Sequence, residues 1–473
     1  MKTLSPSRPR ISTYTLSPEL LKTRAADLPE LTSVTFEELF PDAPRPIPAK
    51  SRAEIRKVIR ALTLQSLDQL DLSKIQPGDS VNILASSHGF TVYGGEAYVE
   101  MIRTIREEVK RRCGTDKIYL RAGVGLRFQE NDEHIKHFGL DKDFTGKAEG
   151  ITPVDRGVPI QTEIGTLYGV EKVYSARWLI HTHNNDIREL HYHRQIGRLF
   201  KPFAMSYATI ETRSAYHQSM GPRAANLLGR MIYESPFVRD KFLCSVMLQV
   251  APTGVIGVDA SHDLADQDRT FTRLNLAWYG KIVTLLGRLK ETIVIIDYPG
   301  PLPYTTAGGL LFGNFINASV DEFDLRIPFP PYNRYSDMLV DPGGKLMKEK
   351  NLAPLNPAIR ALIINYCSKG FPCVSFAQQL PTLAVGPQAD FFRTCEQNST
   401  FMDYALEAEN LRKAVDIARR FARTENILVF DGAIAGFNVS EPLAEEMRRL
   451  APDVSREVDQ NLMPMWLRQR GIQ

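Results

Sequence analysis

Residues 77–125 read PGDSVNILASSHGFTVYGGEAYVEMIRTIREEVKRRCGTDKIYLRAGVG, and this stretch decides the class of fold. Pro77, Gly78 and Asp79 make a turn, and Val81 to Ala85 is an apolar run of strand length. After the Gly94-Gly95 break, Val99, Ile102, Ile105 and Val109 recur at helical spacing. Lys110, Arg111 and Arg112 gather at the end, where positive charge suits the helix dipole. Ile118 to Gly125 reads as a second strand. Strand, long helix and strand in succession make a βαβ unit, and that connection implies a parallel sheet covered by helices.

Towards the N-terminus, Ser51 is a natural N-cap for a helix over Arg52 to Leu67. Ile55, Ile59 and Leu62 share one face, and Glu54 stands three residues after the cap as in a capping box. Before it, Pro6, Pro9, Pro18, Pro29, Pro41, Pro44, Pro46 and Pro48 mark residues 1–50 as an arm that wraps a body or a neighbouring subunit. Towards the C-terminus, Val158 to Gln161, Val173 to Tyr174 and Trp178 to His181 read as strands, and Arg223 to Arg230 as a helix. Cys244 to Val250, the turn at Pro252 to Gly254 and the run VIGVDA suggest a hairpin. Helices are expected at Leu274 to Lys290, Ala358 to Cys367, Met402 to Ala422 and Glu441 to Leu450, with strands at Ile293 to Ile296 and in NILVFDG. Phe329 to Gly344 breaks every period. The expected architecture is α/β: an arm over 1–50, an α/β domain over 51–265 and a second over 266–473, with an active-site cleft between the two domains. The main boundary falls near 255–275.

Composition narrows the class. At 473 residues, with 43% hydrophobic and 24% charged positions, the chain can bury sizeable cores. Its 58 basic against 55 acidic residues leave +3, too little to make nucleic acid or an anionic membrane the default partner. Cys113, Cys244, Cys367, Cys373 and Cys395 are dispersed, with no two-residue gap of a thiolate metal knuckle, so a reducing compartment fits. The opening MKTLSPSRPR has no apolar core of a signal peptide, and a cytoplasmic protein is expected.

Histidine is distributed unevenly. Of nine, His181, His183, His191, His193 and His217 crowd one part of the chain. A side chain that both ligates metals and moves protons near pH 7 marks a site when crowded in this way. In WLIHTHNNDIRELHYHRQIGRLFKPF (178–203), period-two geometry puts His181 and His183 on one side of a strand, and Asn184, Asn185 and Asp186 end it in a polar loop. Lys201 follows, and His217 lies further on.

These residues resemble a known pattern. The stretch from about residue 75 to 315 is similar to the lactate racemase family, whose members use a nickel-pincer nucleotide. The histidine of the family's EPH element falls on His191, its lysine on Lys201 ten residues later, and its next histidine on His217 sixteen beyond. The resemblance implies an isomerase, a racemase or epimerase of a 2-hydroxy acid, supplied by cofactor-biosynthesis enzymes. It implies cofactor attachment at Lys201, nickel ligation by His217, and proton exchange at His191, with His193 beside it. Arg127 would steady the substrate carboxylate, and Ser87, His88 and Gly308 would line the cofactor.

The chain departs from the pattern at three places. ASSHGFTVYGG (85–95) lacks the family's early arginine; Leu126 stands where its second catalytic histidine is expected; and Gly308 and Leu311 replace its glutamine and lysine. Two other readings follow. One is zinc-dependent hydrolysis by some of His181, His183, His191 and His193. The other is a ligand-binding descendant without catalysis. Gly123 and Gly125 form no complete dinucleotide fingerprint and read as a strand-to-loop turn, while Asp259, His262, Asp263 and Asp266 read as solvent-facing before an ion site. Oligomeric assembly stays open.

Overall fold

The computed structural model describes residues 3–4, 23–86, 89–90, 95–123, 130–185, 196–215, 225–298, 323–327, 355–367, 374–394 and 400–472. The chain divides into two compact units, one from Arg45–Asp186 with Gln195–Asn275, the other from Met1–Pro44 with Leu276–Gln473. Both are α/β.

Along the chain, β1 (Leu31–Thr35) comes first and belongs to the second unit. The first unit contains β2 (Val81–Ser86), β3 (Ile118–Gly123), β4 (Ala148–Ile151), a small hairpin of β5 (Gly157–Thr162) and β6 (Gly165–Val170), then β7 (Trp178–Asn184), β8 (Phe242–Ala251) and β9 (Gly254–Ser261). Its main sheet has the order β4-β3-β2-β7-β8-β9. All pairs are parallel except β8 with β9, the hairpin read from the sequence.

Every residue of β2 and β7 is buried, which is why these strands read as continuous apolar or mixed runs without alternation. Ile83 and Ala85 face a core with Val99, Ile102, Ile105 and Val109 of the helix Glu96–Cys113. Leu84 faces the opposite core with Leu179, Phe203, Tyr207 and Met247. The helix Arg52–Leu67 is capped as expected, with Ser51 Oγ accepting from Glu54 N at 3.2 Å. The Glu54 carboxylate accepts from Lys50 N (2.7 Å), one residue before the cap.

The second unit contains β10 (Thr292–Asp297), β11 (Ile359–Tyr366), β12 (Thr382–Val385), β13 (Leu406–Ala408), β14 (Ile427–Phe430) and β15 (Gly436–Ser440). With β1 they form one sheet of order β1-β15-β14-β10-β11-β12-β13. The strands β10 to β14 are parallel, and β15 and β1 are added antiparallel. Proline-rich residues 1–50 thus contribute an edge strand.

Three expected elements differ. Ala358 to Cys367, read as helix, is the strand β11, buried on both faces after Arg360. Met402 to Ala422, read as one helix, is a short 3-10 turn at Phe401–Asp403, then β13, then a helix Leu411–Ala422 started by Asn410, whose Oδ1 accepts from Lys413 N at 3.0 Å. Val173 and Tyr174 lie in a helical turn, Glu171–Tyr174. The helix expected from Leu274 begins earlier, at Leu264, and that expected at Glu441 to Leu450 continues to Glu457. Phe329 to Gly344 lies outside the described residues. Among the described residues no helix is long and apolar enough to cross a membrane.

Candidate functional site

In the first sheet the chain starts in the middle at β2, builds outward to β4, then returns at β7 to build on the other side; from β10 onward the second sheet follows the same plan, with the earlier β1 at its far edge. The strand order therefore reverses between β2 and β7, and again between β10 and β14. Such a switch point leaves a crevice at the carboxyl ends of the two strands, where open α/β sheets bind ligands.

In the first unit that end is formed by Ser86 of β2 and His183 and Asn184 of β7. Tyr98 ties the two strands together. Its hydroxyl donates to Thr182 Oγ1 (2.7 Å) and accepts from Ser86 N (3.3 Å), while Thr182 Oγ1 donates to the Leu84 carbonyl (2.8 Å). Burial holds the Tyr98 phenol well above its ordinary pKa, so it stays a donor. Asn185, just past the end of β7 in the polar stretch expected to end it, is spent on structure. Its Oδ1 accepts from Val250 N (2.7 Å), and its Nδ2 donates to Val250 O (2.9 Å) and Asn275 Oδ1 (3.0 Å).

His181 and His183 do point to one face of β7, with ring centroids 6.2 Å apart. The His181 ring is fully buried and both nitrogens are used. Nε2 lies 3.1 Å from the Leu199 carbonyl and Nδ1 3.1 Å from the Tyr207 hydroxyl. A carbonyl only accepts, so Nε2 carries the proton and Nδ1 accepts from Tyr207. Burial pushes the His181 pKa down to about 3, against the opposing Leu199 bond. This imidazole is a neutral fastener, and it drops out of the histidine set considered for zinc.

What it fastens is the segment that carries Lys201. Leu199 is held at both ends of its peptide: its carbonyl by His181, its N–H by Asp268 Oδ1 at 3.0 Å. Lys201 opens the short helix Lys201–Ala204 and is itself buried. Further along, the segment reaches the end of β3, where a Cβ on Gly123 would lie 2.2 Å from the Ser206 carbonyl, so only glycine allows the approach. The segment from Leu199 to Ser206 thus runs from β7 to the end of β3, past the strand β2 between them.

Of the residues expected to act in the racemase reading, Lys201 alone is among the described residues; of the four histidines considered for zinc, His181 and His183 are. Ser87, His88, Leu126, Arg127, His191, His193, His217, Gly308 and Leu311 lie outside the described residues. Ser87 and His88 follow β2 directly in sequence, and the histidine-rich stretch follows β7. Among the described residues no group of three His, Cys, Asp or Glu side chains is placed to hold a metal. The acidic turn after β9 is also accounted for. His262 Nδ1 donates to Leu243 O (2.8 Å), Asp263 Oδ1 accepts from Ala265 N and Asp266 N, and Asp259 accepts from Gln267 Nε2 (2.6 Å).

The second switch point holds residues the sequence reading missed. Asp297 ends β10 and Asp431 follows β14, on neighbouring strands and both buried. Asp297 Oδ2 accepts from Arg24 Nε (2.9 Å) and Ala25 N (2.8 Å), and its Oδ1 from Asn365 Nδ2 (3.0 Å). Asp431 accepts from Ala433 N (3.0 Å) and from Asn438 Nδ2 (2.7 Å), and Asn438 Oδ1 accepts from Leu4 N (2.7 Å). Burial, helped by the nearby Asp297 charge, pushes Asp431 up to about 6. The available signal was a pair of like segments, IVIID and ILVFD, each an apolar strand ending in aspartate.

Fold and site together define a protein of two doubly wound α/β units, each with a polar switch point. No known family model matches the sequence. No curated protein sequence matches it either. Among solved structures the chain is similar to the lactate racemase apoprotein from Thermoanaerobacterium thermosaccharolyticum, with 13% identity and a TM-score of 0.44, over 80% of this chain and 92% of that one.

Proposed function

We propose that this chain is an isomerase that racemises or epimerises a 2-hydroxy acid at the switch point between β2 and β7, with Lys201 as the attachment point for a nickel-pincer nucleotide. The observation that carries the reading is the placement of Lys201. Its amine belongs to a buried segment locked to β7 through His181 and to the helix Leu264–Leu286 through Asp268. A primary amine on a fixed backbone suits a covalent tether, and fixing it limits the entropy lost when a bound group is positioned. When bound, such a group supplies the two-electron chemistry at C2 that no side chain provides.

In this reading His191 exchanges a proton with the substrate hydroxyl, His193 stands beside it, His217 ligates nickel, and Arg127 pairs with the carboxylate. Ser87, His88 and Gly308 line the cofactor. The reaction belongs in the cytoplasm, with the enzymes that make the cofactor.

The test is co-expression with cofactor-biosynthesis enzymes, followed by peptide mass mapping and chiral analysis of incubated D- and L-lactate and larger 2-hydroxy acids. The expected result is a nucleotide adduct on the Lys201 peptide, absent from Lys201→Ala, with interconversion only in the loaded parent. An unmodified Lys201 in a host that loads another pincer enzyme overturns the proposal.

A further inference from the structure

The helix Glu130–His137 carries two buried polar side chains one turn apart, Asn131 and His134, at 0% and 1% exposure. Neither amide atom of Asn131 and neither ring nitrogen of His134 has a hydrogen-bond partner among the described residues. The Glu130 carboxylate and carbonyl both favour the charged form of His134. Burial outweighs them and holds the pKa below the ordinary histidine value. The contrast with His181, buried in the same unit with both nitrogens satisfied, is direct.

An unpaired amide and an imidazole edge without a well-formed hydrogen bond, one turn apart and both buried, call for an explanation, because buried polar groups are nearly always paired. The surroundings limit what could pair with them. The His134 ring packs in a near-parallel triad with Phe90 (centroids 5.4 Å apart, 14° between planes) and Phe138 (6.5 Å, 13°), themselves 6.0 Å apart, so apolar rings cover part of its surroundings and offer its nitrogens no partner. The first helical turn holds Glu130, Asp132 and Glu133, which disfavours a carboxylate at the ring edge itself, so a ligand that has one must direct it away and enter by another group. Asp132 is spent on Gly150 N (2.9 Å). A neutral imidazole and an amide each offer a donor and an acceptor. The matching group is uncharged and does both, and an alcohol hydroxyl meets that description.

We propose that Asn131 and His134 form a binding subsite for the hydroxyl of a small polar ligand, on the β3 side of the first switch point. Packed rings connect it to that point. Phe90 meets Tyr98 edge-on at 5.4 Å, and Tyr98 bonds to Ser86 and Thr182 at the ends of β2 and β7. The subsite stands on its own orphaned atoms; only the choice of lactate as one probe rests on the function proposed above.

Two measurements test it. Asn131→Leu and His134→Phe remove polar atoms that are unmet in the ligand-free protein, so each raises the unfolding midpoint. A fall in both midpoints shows that the atoms are satisfied internally, by buried water for instance, and overturns the proposal. In histidine-labelled protein, with the His134 resonance assigned by its loss in His134→Phe, glycerol and D- and L-lactate are expected to shift that resonance in the parent but not in Asn131→Leu. A His134 signal unmoved by every probe also overturns it. A shift with glycerol but not with lactate keeps the subsite and counts against the 2-hydroxy acid reading.

Discussion

A histidine can be crowded among others and still do no chemistry. With one nitrogen on Leu199 and the other on Tyr207, His181 has nothing left to offer a metal or substrate. Replacing it with phenylalanine strands two buried partners at about 1–3 kcal/mol each. His181→Phe is therefore expected to lower stability by roughly 2–6 kcal/mol in urea titrations, and the ring in the parent to show no protonation by NMR between pH 5 and 8. A titration near pH 6.5 contradicts the assignment. Asp431 behaves in the opposite sense. Burial raises its pKa in the folded chain to about 6, from an ordinary carboxylate value of 3.8, so the folded state keeps a proton that the unfolded state has already lost. Its contribution is largest below about pH 4 and declines as pH rises through 6, by roughly 3 kcal/mol in all. Asp431→Asn cannot ionise, so its stability relative to the parent is expected to improve by that amount between pH 4 and 7.5. A difference that stays flat with pH shows the carboxylate to be ionised throughout. The sequence pointed to the histidine region but could not separate fasteners from reactive groups, because that depends on Leu199, Tyr207 and Asp268, which are distant in the chain and ordinary in type.

At the level of elements, apolar runs with clear ends were readable. Val81 to Ala85, the helix after Gly95 and the β8–β9 hairpin emerged much as their patterns required. The segment ALIINY was not, because a strand buried on both faces shows no alternation and looks like the core of a helix. Its β-branched isoleucines and its short length were the better guide. Likewise the amphipathic run before Ala422 hid a break at Asn410, whose cap starts the true helix. The edge strand β1 yields a prediction at this scale. A Cβ on Gly436 would lie 2.1 Å from the Val34 carbonyl, so the pairing of β15 with β1 needs glycine there. Gly436→Val is expected to detach β1, seen as faster hydrogen exchange at Leu31–Thr35 while β10 and β11 stay protected. Unchanged exchange across β1 counts against that pairing.

At the level of the whole chain, the α/β class was legible from one βαβ unit, and the same strand plan recurs in both sheets. The plan itself was not legible, since which side a returning strand joins is decided by long-range packing. Nor was the use of the proline-rich opening, whose Arg24 meets Asp297 and whose Leu31–Thr35 strand meets Gly436–Ser440. That last pairing has a consequence for synthesis. Everything in the unit Arg45–Asp186 with Gln195–Asn275 is made early and can fold while translation continues, but the strand made first in the other unit must wait for one made almost last. Until the ribosome has released residue 440, both edges stay exposed to strangers, and the cell has reason to shield them during that interval.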